Sequence, residues 1–187
     1  SAVLMKNIFL ELNENAKHTN YEITMEATHH GPYVEKPSVF VEIGSTEKEW
    51  KDKANGETIA KTIMNSLENK NKDYKIAVGI GGPHYCHNFN KIMLRTDIAI
   101  SHICPKYALN HLNEELINQA VNKTKEKVDF VLFDWKGLGQ EKERIVSILK
   151  NLNLLNWYHV TFLLIKYLRN SAHTTILTMR ACLVHVL

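Results

Sequence analysis

Lys75-Ile76-Ala77-Val78-Gly79-Ile80-Gly81-Gly82-Pro83 is a short β-rich apolar run that ends in a glycine turn and leads directly into His84-Tyr85-Cys86-His87. A run of this length bounded by glycine and proline reads as a strand followed by a loop. Similar strands lie on either side of it. Residues 21–26 and 38–43 precede it, and residues 97–103 and 128–133 follow. Between them the apolar residues recur at helical spacing. Val3, Leu4, Ile8, Phe9 and Leu12 mark a first helix, and Leu112, Leu116, Ile117, Ala120 and Val121 a later one. Residues 141–152 form a final helix. Thr46 with Glu49 fits a capping box that opens a helical segment running to about residue 67, with Gly56 as the place where it could break in two. Strands alternating with helices predict an α/β fold, with a largely parallel or mixed sheet flanked by helices.

In open sheets of this kind, ligands bind beyond the carboxyl ends of the strands. Those ends are rich in reactive side chains. The first strand ends at Glu26 and enters Thr28-His29-His30-Gly31-Pro32, and the second carries Glu42 just before Gly44. The third leads through Gly81 and Gly82 to His84. The fourth ends at His102, ahead of Cys104-Pro105-Lys106, and the fifth at Asp134-Trp135-Lys136. Parallel strands would place all five junctions on one rim.

Imidazole and carboxylate donors from several loops suit zinc. No H-E-x-x-H or C-x-x-C spacing supports a metal independently, however, and adjacent residues such as His29 and His30 point to opposite sides of an extended chain. Gly81 and Gly82 would let backbone N–H groups approach an oxyanion, or would simply form a tight turn with positive φ. The turn lacks the lysine of a phosphate-binding loop and is not a dinucleotide fingerprint. Lys136 beside Trp135 could meet a phosphate and a base.

Composition sets limits on these readings. The chain has 187 residues, 44% hydrophobic and 23% charged, enough for one domain with a sizeable core. No apolar run reaches the roughly 18 residues that a membrane span requires. Cys86, Cys104 and Cys182 have no framework spacing, which favours a reducing cytoplasm over a disulfide scaffold. No signal peptide is expected. The first methionine is Met5, which suggests that the natural start lies upstream. Residues 144–187 hold five Lys/Arg and no acid, while all 20 Asp/Glu precede them. That asymmetry sets residues 156–187 apart as a basic-apolar tail behind a domain of residues 1–155. The net charge of +3 is too small to prove a nucleic-acid partner.

Taken together, these motifs resemble the D-aminoacyl-tRNA deacylases of the archaeal and plant type. The resemblance rests on Glu26-Ala27-Thr28-His29-His30-Gly31-Pro32 and on Phe40-Val41-Glu42-Ile43-Gly44-Ser45-Thr46 with Trp50 after it. It continues through Gly79-Ile80-Gly81-Gly82 with His84-Tyr85, then Ile98-Ala99-Ile100-Ser101-His102-Ile103 with Pro105-Lys106-Tyr107-Ala108, and Asp134-Trp135-Lys136-Gly137. It covers about residues 1–152. Pro83 stands where the family usually has glycine, and the family carries a further N-terminal portion with histidine motifs of its own.

The resemblance implies a fold similar to peptidyl-tRNA hydrolases and nucleoside phosphorylases, zinc dependence, and hydrolysis of the ester joining a D-amino acid to tRNA. On that expectation His29, His30, His84 and His102 supply the metal ligands, and Gly81 and Gly82 support the oxyanion. Glu26 or Glu42 acts as general base or orients an imidazole, and Lys106, Trp135 and Lys136 meet the tRNA. A cytoplasmic monomer is expected. The alternatives are an inactive or tRNA-binding fragment of such an enzyme, and a hydrolase of the peptidyl-tRNA hydrolase or aminopeptidase kind.

Overall fold

The computed structural model describes residues 1–27, 35–44, 46–68, 73–152, 156–159 and 178–183. The stretch Thr28-His29-His30-Gly31-Pro32, Ser45, and most of the basic-apolar tail lie outside these residues.

The centre of the molecule is a four-stranded parallel sheet made of β3 (Lys75–Ile80), β4 (Ile98–Cys104), β5 (Phe130–Phe133) and β6 (Asn156–His159), in the order β4-β3-β5-β6. Alternation along the strands sends successive side chains to opposite faces. Ala77, Ile100 and Leu132 pack with Met5, Phe9 and Leu12 of α1 (Ala2–Asn15) and with Phe89, Ile92 and Met93 of α4 (His87–Arg95). Ile80, Val131 and Phe133 face Ile117 of α5 (Glu114–Asn122) and Ile145 and Leu149 of α6 (Lys142–Asn151). Helices on both faces of a parallel sheet are the α/β layering expected from the sequence.

The first strand does not join that sheet. β1 (Glu22–Ala27) pairs in parallel with β7 (Thr178–Leu183), and β2 (Phe40–Glu42) pairs with the other edge of β7 in the antiparallel sense. The described parts of the tail are therefore strands, one in each sheet. The five strand ends do not share one rim, because β2 runs against β1.

Two helices depart from the expected pattern. The long segment after Thr46 does divide into α2 (Glu47–Lys51) and α3 (Lys53–Glu68), but at Asp52 and not at Gly56. The Asp52 carboxylate accepts from Ala54 N at 2.9 Å, so it caps the second helix at its start, and Gly56 is carried within the first turn. The capping box forms as expected, with Thr46 N donating to Glu49 Oε2 at 3.1 Å. Helix α4 was not anticipated, although Phe89, Ile92 and Met93 follow helical spacing. It begins at Cys86 in the left-handed conformation (φ 52°), with no side-chain cap to announce it.

Lys6 lies on the buried face of α1 with 1% exposure. Its ammonium donates to the carbonyls of Met93 and Thr96 at 2.7 Å and Ile98 at 2.8 Å. The carbonyls at the carboxyl end of α4 and the start of β4 thereby gain a partner. No helix among the described residues is long and apolar enough to cross a membrane.

Candidate active site

Glu26 and His84 come from different sheets and meet. Thr24 and Glu26 lie on the same side of β1, opposite Met25, which fills the core. The loop after β3 runs beside that side. Ala27 N donates to His84 O at 2.8 Å, and Thr24 Oγ1 donates to Tyr85 O at 2.7 Å. Asn90, buried in α4, accepts from Met25 N at 3.1 Å and donates to Thr24 Oγ1 at 2.6 Å and Tyr85 O at 3.0 Å. These bonds fix the His84 backbone against β1.

The result is a hydrogen bond between His84 Nε2 and Glu26 Oε1. The Glu26 side chain is 5% exposed and that of His84 26%, so the carboxylate is shielded while the imidazole reaches solvent. The other ring nitrogen, Nδ1, lies 3.1 Å from the hydroxyl of Tyr107, which is itself 54% exposed. An ionised Glu26 accepts from Nε2–H, and Nδ1 is then the basic nitrogen that accepts from Tyr107. Burial, followed by nearby acidic groups, pushes the Tyr107 phenol up, so it stays a donor at neutral pH. A buried carboxylate, an oriented imidazole and an outward-facing nitrogen make an arrangement suited to general-base catalysis.

The other expected residues take different places. His102 does not join the dyad. The pairing of β3 with β4 shifts between Ala77↔Ile100 and Gly79↔Ile103, which is one extra residue in β4. The bulge turns both Ser101 and His102 to the α5 side. There Ser101 Oγ accepts from Thr124 Oγ1 at 2.8 Å, and His102 lines an apolar pocket with Val78, Leu112, Ile117 and Ala120. Glu42 pairs in register with Arg180, level with Thr24, and β7 stands between it and β1. Two strand spacings, about 10 Å, therefore separate it from the strand that carries Glu26.

Gly81 N–H is engaged by Cys104 O at 2.8 Å and is not available to an oxyanion. Gly81 and Gly82 have φ of +98° and +83°, and a Cβ on Gly82 would lie 3.0 Å from Asp134 Oδ2. Both glycines form the tight turn with positive φ. Gly82 O accepts from Lys106 N at 2.9 Å, and a Cβ on Gly137 would lie 2.2 Å from Gly82 N. The loops after β4 and β5 thus both close on this turn. They carry the exposed Lys106 and Lys136 and the half-buried Trp135, whose ring lies 5.1 Å from Lys142 Nζ. Asn88 Nδ2 donates to Asp134 Oδ2 at 2.9 Å and braces the same junction.

His29 and His30 lie outside the described residues. Among the described residues, no group of three His, Cys, Asp or Glu side chains could hold a metal ion. Burial pushes the Cys86 thiol up to about 12. A catalytic zinc takes three protein ligands, and the described residues offer Glu26 and His84. They do not complete a zinc site by themselves.

Comparison with known proteins bears on the assignment at this point. The sequence model described as D-aminoacyl-tRNA deacylase matches residues 1–156. The chain belongs to the D-aminoacyl-tRNA deacylase family. Among its deacylase relatives, the protein from Thermococcus kodakarensis is 43% identical over 153 residues, covering 80% of this chain and 56% of that protein. The protein from Methanocaldococcus jannaschii is 37% identical over 169 residues, covering 86% and 64%. Both are named D-aminoacyl-tRNA deacylase. A solved structure of a conserved protein of unknown function superposes with a TM-score of 0.80 at 33% identity, covering 88% of this chain and 58% of its own. The chain thus spans a little over half the length of the deacylases it matches.

Sequence reasoning did not assign Tyr107 or Asn90 a role. Tyr107 stands next to Lys106 in a quoted motif, and its partnership with His84 depends on a loop closure that spacing does not show. Asn90 lies on the helix that was not anticipated.

Proposed function

We propose that this chain hydrolyses the ester of D-aminoacyl-tRNA, releasing a free D-amino acid and tRNA, and that Glu26 and His84 carry the chemistry. The observation behind this reading is the buried Glu26 carboxylate hydrogen-bonded to His84 Nε2, with Nδ1 turned to the surface. The names of the relatives support the substrate class.

In this reading a water beside the Tyr107 hydroxyl gives a proton to that oxygen while the hydroxyl passes its own proton to His84 Nδ1, 3.1 Å away. That water adds to the carbonyl carbon, and the carbonyl π pair moves to oxygen. The carbonyl then re-forms as the C–O bond to the ribose breaks, and the imidazolium returns its proton through Tyr107 to the departing ribose oxygen. Glu26 holds the ring in the required tautomer and stabilises the imidazolium, the role of the buried acid in hydrolase triads. Zinc dependence is a separable part of the proposal. It would need His29 or His30, which follow directly on β1, to stand beside His84, and a bound zinc would supply an acidified water. A cytoplasmic monomer acting on tRNA completes the reading.

The test is deacylation of D-tyrosyl-tRNA by this chain, with the L-ester as control, with added zinc and with a chelator. D-selective turnover that falls by about 10²–10⁴ in His84→Ala supports the proposal. Wild-type turnover in His84→Ala removes the dyad from the mechanism. Turnover untouched by the chelator removes zinc alone.

A further inference from the structure

We infer that the Tyr107 ring is the stacking platform for the unpaired base at the 3′ end of the tRNA, placed so that the ribose next to that base reaches His84. This rests on the proposed reaction and names where its substrate docks. Tyr107 is a large aromatic side chain that remains 54% exposed, and its hydroxyl is tethered to His84 Nδ1 at 3.1 Å. The tether fixes the outer end of the ring while its body stays open to solvent.

The two ring centroids are 6.2 Å apart. That is about the reach from a purine to the 3′ oxygen of its own ribose. Tyr85 extends the aromatic surface on the other side of His84, edge to face at 5.0 Å. The mount is rigid, since Lys106 N is bonded to Gly82 O immediately before the tyrosine. Lys106 and Lys136 project from the two loops that close on Gly82, where the phosphates of an approaching single strand would pass. Aromatic faces flanked by cations are the usual means of holding unpaired bases. Such recognition follows the terminal nucleotide and not the amino acid, as an enzyme acting on many tRNAs requires.

The experiment is equilibrium titration of the whole chain with the trinucleotide CCA, beside Tyr107→Phe and Tyr107→Ala, with folding checked by circular dichroism. Removing the ring in Tyr107→Ala is expected to weaken trinucleotide binding at least about tenfold. Tyr107→Phe, which keeps the ring, is expected to stay within about twofold. In turnover Tyr107→Ala should raise KM, while Tyr107→Phe should leave KM within about twofold. Equal binding by wild type and Tyr107→Ala overturns the inference, as does no binding by wild type. A loss in Tyr107→Phe as large as in Tyr107→Ala also overturns it, because the hydroxyl and not the ring would then be the contact. Ring-dependent binding of CCA by a chain that deacylates nothing upholds this inference and sinks the proposed reaction.

Discussion

Glu26 is a carboxylate with 4% exposure, and burying such a group demands a partner. Its partner is an imidazole from another part of the chain, so replacing either member tests the same bond from two sides. Glu26→Gln keeps the shape but not the charge that stabilises an imidazolium. It should lower kcat by about 10²–10⁴ with little change in KM, measured by single-turnover deacylation. Cys86 offers a prediction in pH. Its thiol is raised from 9.0 to about 12 in the folded protein, so the unfolded chain releases this proton first. The associated stability is complete below pH 9 and is lost as pH rises towards 12. Urea unfolding should show wild type losing about 1.4 kcal/mol per pH unit relative to Cys86→Ala across that window. Glu26 and His84 were legible as strand-end residues. His102 was misplaced because a single inserted residue reverses the alternation that sequence patterning assumes. Glu42 was misplaced because nothing in three β-rich residues reveals the direction in which they pair.

At the scale of elements, what matters is how β1 is held against the loop after β3. Asn90 makes three bonds across that gap, two of them to backbone. Asn90→Leu leaves the buried Met25 N–H without its partner and removes one of the two donors to Tyr85 O. It should cost about 1–3 kcal/mol in denaturant unfolding and reduce turnover more than the loss of folded protein accounts for. Lys6 plays a similar part between α1 and the end of α4. Lys6→Met removes the charge but orphans three carbonyls, and a lower thermal midpoint is the expected result. The capping box at Thr46 was readable because it is a local pattern. The break at Asp52 obeys the same rule, with aspartate as the N-cap, and it outweighs the glycine that helix propensity would have chosen. Helix α4 went unread because its N-cap, Cys86, adopts a left-handed conformation, at a position where sequence rules expect Ser, Thr, Asp or Asn.

For the whole molecule, the layered parallel core was legible from the succession of apolar strands and amphipathic helices. The second sheet was not, since its central strand, β7, comes from the far end of the chain and from a segment that lacks the family's motifs. Residues 178–183 hold β1 on one edge and β2 on the other. A chain ending at residue 155 would leave both without a partner and would also remove β6 from β5. It should therefore give a lower melting temperature and more aggregation than the 187-residue chain, by scanning fluorimetry and light scattering. The same truncation should weaken deacylation, because β1 carries Glu26.

The contact between Gly82 and Gly137 links two loops that are more than fifty positions apart in sequence. A methyl group on either would strike the other loop or its aspartate, so neither position can drift alone. Gly137→Ala, with its Cβ only 2.2 Å from Gly82 N, has no room unless the turn itself moves. Across related sequences both sites are therefore expected to stay glycine. Directed evolution of the amino-acid preference would do better to vary the outer faces of these loops than the glycines at their crossing. The crossing acts as a pivot from which Lys106 and Lys136 are presented, and shape changes around a fixed pivot leave the spacing of these two lysines intact.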